Sequence, residues 1–240
     1  MTTHSADLQL RKTARTAGLW YLFWIITGVY GLFYVPSQIN TRGDAVTVAQ
    51  NILSNEVLFR TGIINDLISN ALWVFMVLVL YRLFKQVNER QAKLLVALVI
   101  VQIPAAFITG ALNITSLMIF KGEILKTFEL SQRQDLAMLF LKIGDYLVLT
   151  LEMFWGLWLF PLAILVYRSR FLPRFLGVWL IINGFALLVL SFTDLLLPQY
   201  KDMVFSIAFP AMLGEVAFML WLLIMGAKVR EPEARPSQVS

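Results

Sequence analysis

Six long apolar stretches, separated by short polar segments, dominate the 240-residue chain. Each stretch holds about 20 mostly apolar residues, the length that a helix needs to cross the roughly 30 Å hydrocarbon core of a bilayer. The pattern predicts an all-α fold, a polytopic bundle of six transmembrane helices. The predicted spans are 16–35, 61–81, 94–120, 143–167, 174–197 and 204–227.

These spans leave no separate soluble domain. We expect an N-terminal tail at 1–15, a transmembrane domain at 16–228 and a disordered polar tail at 229–240. The first apolar run follows a basic start, as in a signal peptide. However, it is long enough to span and lacks a following small-residue cleavage site, so an uncleaved first span is expected. Spans three, four and six each contain a proline that is expected to kink the helix: Pro104, Pro161 and Pro210.

The distribution of lysine and arginine predicts the orientation. If the N-terminus is inside, the inner segments hold 13 of these residues and the outer segments hold 6. Positive residues accumulate in cytoplasmic loops, so both termini are predicted to be cytoplasmic. Tyr81-Arg82 and Tyr167-Arg168 resemble matched anchors at the inner face. The expected location is the bacterial inner membrane, as a multi-pass protein.

Two outer segments have helical character. Asp44 is a plausible N-cap for residues 44–59, and Ser131 and Gln134 have capping-box spacing at the start of 131–142. These segments are either helices on the outer surface or outward extensions of spans two and four. The apolar side chains of the first segment fall near one helical face: Val48, Ile52, Leu53 and Phe59.

Composition removes several classes of function. The chain is 59% hydrophobic and only 15% charged, whereas a soluble domain is about 25% charged. It has no cysteine, and its single histidine is His4 in the tail. Haem or zinc held by histidine or cysteine is therefore not expected, and we predict no bound cofactor. The net charge of +5 lies in short loops, as membrane topology requires, so no nucleic-acid partner is expected.

Three acidic residues fall at one depth within the spans. Asp66 and Glu152 each lie 15 residues before a Tyr-Arg anchor, and Glu215 lies 13 residues before Lys228. At about 1.5 Å per residue, all three are roughly 20 Å above the inner anchors. A carboxylate facing lipid costs about 2.5 to 3.5 kcal/mol. We therefore expect the three acids to face the bundle interior, as the floor of an outward-open polar cavity.

Four further polar residues are candidates for the same site. Asp145 and Asp194 lie nearer the outer surface, and Lys142 is spaced to pair with Asp145; these three are predicted to rim the cavity. Asn70 lies one turn below Asp66 on the same face. Each has a purely structural alternative: Lys142 as an ion-paired interface residue, Asp194 as a solvated helix end, and Asp66 as a packing acid. Small residues in the spans are expected to allow close helix packing.

Four segments are distinctive in combination: "ARTAGLWYLFWIITGVYGLFYV", "NILSNEVLFRTGIINDLI", the region from "GDYLVLTLEMFWGLW" through "LPRFLGVWLIINGFALLVLSF", and "PAMLGEVAFMLWLLIMG". Together they cover about residues 14–227, and they resemble the domain of unknown function 4386 family of uncharacterised bacterial membrane proteins. The resemblance implies a six-span protein without an assigned activity. The family's recurrent polar positions would correspond to Arg60, Asp66, Asp145, Tyr146, Arg168, Pro173, Gly214 and Glu215.

Three functions fit this pattern. The first is binding or transport of a cation, a proton or a small polar solute in the acidic cavity. The second is a non-catalytic subunit or sensor that acts through a membrane-protein partner. The third is an enzyme on a lipid-like substrate that uses carboxylates as acid and base or as metal ligands. Besides the lipid bilayer, a homodimer partner is considered, because six spans are few for a monomeric carrier.

Overall fold

A computed structural model describes residues 3–228, and side chains from residue 7 onward. The predicted disordered tail at 229–240 lies outside the described residues. Within 3–228 the chain forms helices and no strand, which confirms the all-α prediction. The α-helices are α1 (Thr3–Val29), α2 (Val35–Gln38), α3 (Ala45–Ser54), α4 (Glu56–Phe84), α5 (Glu89–Ile100), α6 (Ile103–Phe120), α7 (Leu130–Leu157), α8 (Leu159–Arg168), α9 (Arg174–Leu196) and α10 (Lys201–Ile224).

Six helical segments are long and apolar enough to cross a membrane, as predicted. They are Asp7–Gln38, Glu56–Phe84, Glu89–Phe120, Leu130–Arg168, Arg174–Leu196 and Pro198–Ile224, called spans one to six below. Most of them extend beyond the predicted limits because polar residues continue the helices past the apolar runs. The orientation of the termini stays a prediction.

The six spans form a closed ring in chain order. Span one packs against span two through α1 and α4, and span two packs against both halves of span three. Spans three and four meet through α6 with α7 and through α5 with α8. Span five packs on both halves of span four and on span six, which closes against α1. This arrangement lets all six spans contribute side chains to one central volume.

Glycine allows two of the spans to approach closely. A Cβ atom added to Gly156 of α7 would lie only 2.8 Å from the backbone oxygen of Gly184 in α9. Any larger residue at position 156 would force these helices apart. The close helix packing that was predicted for small residues therefore occurs at this contact.

Two spans are each divided into two helices, in each case three residues or fewer before a proline. Span three is interrupted at Val101 and Gln102, just before Pro104, and span four at Trp158, before Pro161. A proline ring clashes with the carbonyl group one turn earlier, which explains why each break precedes its proline. By contrast, α10 continues through Pro210.

A π-helical turn, Tyr30–Tyr34, follows α1 and leads into α2. Such turns widen the helix by one residue and are frequent at functional sites. Neither this turn nor the division of spans three and four was predicted.

The two outer segments behave differently from each other. Asp44 caps α3, as predicted, because its Oδ1 accepts a hydrogen bond from the Thr47 amide at 2.7 Å. Val48 and Ile52 are fully buried against spans three and four, whereas Leu53 is exposed and does not share their buried face. Phe59 is also buried, but it belongs to α4 rather than to the outer helix.

The second segment, 131–142, is part of α7 and extends span four outward. Its capping box uses Glu129 and Gln132 rather than the predicted Ser131 and Gln134. The helix therefore begins one residue before the predicted cap, with the glutamate supplying the capping oxygen.

Candidate functional site

The ring of helices encloses a cavity of about 520 Å³. It lies between the centre of the bundle and the end that carries the connections 39–44, 121–129 and 198–200, and every span contributes to its wall. Toward the other end, the ring is filled by a continuous cluster of buried apolar side chains. One half of the bundle is therefore filled, and in the other half the cavity lies beside a second buried apolar cluster, in which α3 packs against spans two, three and four.

Five of the seven candidate residues line this cavity. They are Asp66 and Asn70 of span two, Glu152 of span four, Asp194 of span five and Glu215 of span six. Lys142 and Asp145 do not belong to the lining. They form the predicted ion pair, with Nζ and Oδ2 3.7 Å apart, on a well-exposed part of α7. Of the three residues predicted to rim the cavity, only Asp194 lines it.

Glu215 is held by two buried side chains that the sequence did not single out. The Tyr21 hydroxyl donates to Oε1 at 2.6 Å, and the Asn183 amide donates to Oε2 at 3.5 Å. Tyr21 and Asn183 are fully buried in spans one and five. Hydrogen bonds to a charged acceptor are among the stronger ones in proteins, so the first contact fixes the orientation of the carboxylate. The sequence does carry a signal for both residues, because each has a polar end group and lies within an otherwise apolar run.

Asp66 lies against the π-helical turn of span one. Its Oδ1 is 2.8 Å from the position that a Cβ atom on Gly31 would occupy. The neighbouring Asn65 donates to the backbone oxygen of Thr27 at 2.9 Å and ties span two to span one. A side chain at position 31 would displace Asp66, so the glycine allows the carboxylate to reach this part of the wall. Asn70 is bonded to its own helix, through the backbone oxygen of Asp66 at 2.8 Å.

Glu152 and Asp194 have unequal surroundings. Asp194 is paired with Lys201 across the turn between spans five and six, and its side chain is only 10% exposed. This pairing corrects the alternative that Asp194 is simply a solvated helix end. Glu152 lies within electrostatic range of both residues, but no hydrogen bond from the described part of the chain reaches its carboxylate. Among the described residues, Glu152 therefore has these two charged neighbours but no hydrogen-bond donor.

Asp66, Glu152 and Glu215 share one cavity, but each has its own local contacts. In the described residues, no hydrogen bond joins any two of them, and no three Asp, Glu, His or Cys side chains lie close enough to hold a metal ion. The arrangement is suited to stabilising positive charge or passing protons rather than to a tight chelate. Whether these residues bind a ligand stays a prediction.

The cavity meets the packed half of the bundle at an aromatic floor, defined here as Trp24, Trp73 and Trp158. The ring centroids of Trp24 and Trp73 are 5.2 Å apart and stacked, and Trp158 meets them edge to face at 6.1 and 5.7 Å. All three pack together, and they also line the cavity.

Two buried polar atoms beside the floor lack a protein partner. They are Nε1 of Trp73 and Oε1 of Gln102, in side chains that are only 5% and 1% exposed. Gln102 sits at the break in span three, and its amide nitrogen donates to the backbone oxygen of Leu98 at 2.6 Å. Both residues line the cavity. A buried polar group without a hydrogen bond costs about 1 to 3 kcal/mol, which a bound molecule could recover.

Comparison with known proteins matches the chain to a family profile and to a curated protein. The profile described as "Domain of unknown function (DUF4386)" matches residues 16–226. A protein from Archaeoglobus fulgidus, described as "Uncharacterized protein", is 34% identical over 83 residues, which is 35% of this chain and 48% of the relative. The chain thus spans about half the length of that curated relative. No solved structure matches.

Proposed function

The chain belongs to the domain of unknown function 4386 family and is an integral membrane protein of unassigned activity, and we propose that it binds a small cation in the cavity and carries it across the membrane. The single observation that carries this proposal is the charge of the cavity wall. Four acids from four spans line it, against one lysine that is already paired with Asp194. The remaining three are Asp66, Glu152 and Glu215.

The physical argument rests on the cost of unpaired carboxylates in the membrane. Each is expensive in a low-dielectric region unless it is protonated or meets a positive charge. Glu215 has one strong hydrogen-bond donor, the Tyr21 hydroxyl, but Glu152 has none among the described residues. A cation that enters the cavity would supply the missing partner, and protons that leave the acids would balance its charge. Exchange of a cation for protons is the simplest cycle that this wall supports.

The direction of access follows from the predicted topology. If the N-terminus is cytoplasmic, the cavity lies in the outer half of the bundle, and its ligand enters from outside. The packed half, with its buried apolar cluster, would then close the inner side. Transport requires this half to open in turn, and the divisions in spans three and four are suitable hinges.

Uptake into proteoliposomes tests the proposal. Labelled methylammonium is the probe, with an internal pH dye to follow protons. We expect uptake above that of empty liposomes, and loss of uptake in Glu152→Gln and Glu215→Gln. Asp135→Asn is the matched control, since Asp135 is an exposed acid of α7 outside the cavity wall.

Uptake that survives both glutamine variants would refute the proposal. Absence of uptake, together with a membrane protein that co-purifies in mild detergent, would instead favour the predicted role as a subunit or sensor. Activity of the purified protein on a panel of lipids would favour the enzyme.

A further inference from the structure

We infer that the ligand is an organic ammonium ion with an apolar or aromatic part, rather than an inorganic cation. This inference rests on the proposed function and specifies the chemistry of the same site. It depends on the aromatic floor, on the two unpartnered polar atoms beside it and on the size of the cavity, none of which the acids alone would explain.

The size of the cavity is the first argument. A volume of 520 Å³ is within the range of about 300 to 1,000 Å³ typical of sites for small organic ligands. A bare alkali ion would leave nearly all of it to water, on the order of 17 molecules at about 30 Å³ each. Much of the wall is apolar, including Leu32, Val148, Leu187 and Phe205, so it would solvate such water poorly.

The aromatic floor is the second argument. The faces of tryptophan rings attract organic cations, and indole is the strongest of the natural side chains in this interaction. Trp24, Trp73 and Trp158 hold one another at fixed angles, so little freedom is lost when a ligand binds. Trp155, one turn before Trp158, adds a fourth indole to the wall.

The position of Glu215 joins the negative charge to this floor. Tyr21, which donates to Glu215, packs on Trp24 with ring centroids 5.6 Å apart and on Trp158 at 6.2 Å. The carboxylate is therefore separated from the aromatic floor by a single side chain. An ammonium group near Glu215 would place its attached apolar part against the indoles.

The unpartnered atoms fit the same ligand. Oε1 of Gln102 is an acceptor that a ligand N–H group could satisfy, and Nε1–H of Trp73 is a donor for a ligand oxygen. Anionic ligands are disfavoured, because the lysine of the wall, Lys201, is already bound to Asp194. The site thus selects for positive charge, apolar bulk and modest hydrogen-bonding capacity.

Competition between matched probes tests the inference. The purified full chain in nanodiscs is titrated with benzyltrimethylammonium, tetramethylammonium, K⁺ and benzoate, and binding is followed by calorimetry. We expect benzyltrimethylammonium to bind at least about tenfold more tightly than tetramethylammonium, a difference of about 1.4 kcal/mol. Benzoate should not bind. Because this comparison uses the unmodified protein, it does not depend on any variant folding.

A pair of tryptophan variants locates the site. Trp155→Leu should weaken benzyltrimethylammonium binding about tenfold, whereas Trp221→Leu, outside the cavity, should leave it unchanged. Tight binding of K⁺ with no organic cation bound would overturn the inference and leave the proposed function standing. If no cation binds, or if benzoate binds as well as the cation, both fail.

Discussion

The hydrogen bond between Tyr21 and Glu215 should make a measurable contribution to the free energy of unfolding. Tyr21 is fully buried, and its hydroxyl donates to Oε1 at 2.6 Å. The remaining donor, Asn183, is 3.5 Å from the other oxygen, at the limit of a hydrogen bond. Removing the hydroxyl in Tyr21→Phe should therefore cost about 1.5 to 3 kcal/mol, the usual value for a hydrogen bond to a charged group.

A double-mutant cycle separates this bond from simple packing. In a Glu215→Leu background the Tyr21 hydroxyl has lost its acceptor, so Tyr21→Phe should be nearly neutral there. The assay is equilibrium unfolding in mixed detergent micelles, followed by tryptophan fluorescence. Tyr146→Phe is the control, because Tyr146 is 62% exposed on α7. An equal cost for Tyr21→Phe in both backgrounds, or a cost no larger than that of the control, would refute the reasoning.

Two further predictions concern the scaffold. Gly156→Val should separate α7 from α9 at Gly184 and lower the unfolding midpoint, whereas Gly28→Ala, whose Cβ would have no neighbour within 4 Å, should be neutral in the same unfolding assay. Hydrogen bonds from the Thr47 backbone lower the pKa of Asp44, so its capping of α3 is complete above the ordinary value of 3.8 and is lost as the pH falls through the lower folded value. The hydrogen-exchange protection factor of the Thr47 amide should then fall at acidic pH in the natural protein, and Asp44→Asn should remove that dependence; an unchanged profile would contradict the cap.

Span length and charge depth were predictable because the bilayer imposes them. Runs of about 20 apolar residues define the six spans, and helical rise alone places Asp66, Glu152 and Glu215 at one level. These two rules give height along a helix. A third rule, the cost of placing a charge in lipid, is enough to favour a shared interior volume for the three acids.

Direction around a helix and the partners on other helices were not predictable in the same way. Asp145 shares a helical face with Glu152, seven residues on, yet only Glu152 belongs to the cavity wall. Which side chain of another helix reaches each acid depends on the order of the helices around the bundle. The amino-acid sequence alone does not give that order. For that reason Tyr21 and Asn183 were missed, although both are polar residues in apolar runs.

The helix irregularities have a local cause that only the fold exposes. The prolines predicted kinks in spans three and four but not the residues at which the helices break. The breaks lie at Gln102 and Trp158, and both of these side chains line the cavity. The π-helical turn contains no proline, but Pro36 follows two residues after Tyr34, at the same distance as Pro104 from Gln102. Its effect is visible only where Gly31 meets Asp66.

Charge-selective labelling of introduced cysteines tests the central claim most directly, because the natural chain contains no cysteine. Ser69→Cys and Thr109→Cys place a thiol on the cavity wall, and Ala163→Cys is a fully buried control. Cationic and anionic methanethiosulfonates are added outside right-side-out vesicles, and their rates are normalised to those of a free thiol. A unit charge about 10 Å away at an effective dielectric constant of about 20 contributes roughly 1.7 kcal/mol.

The account predicts that both wall cysteines react, and that the cationic reagent is favoured by about tenfold or more, with the preference reduced by Glu215→Gln. The buried control should stay unlabelled. Wall cysteines that resist both reagents, or that react equally with either charge, would contradict an acidic cavity open to the outside.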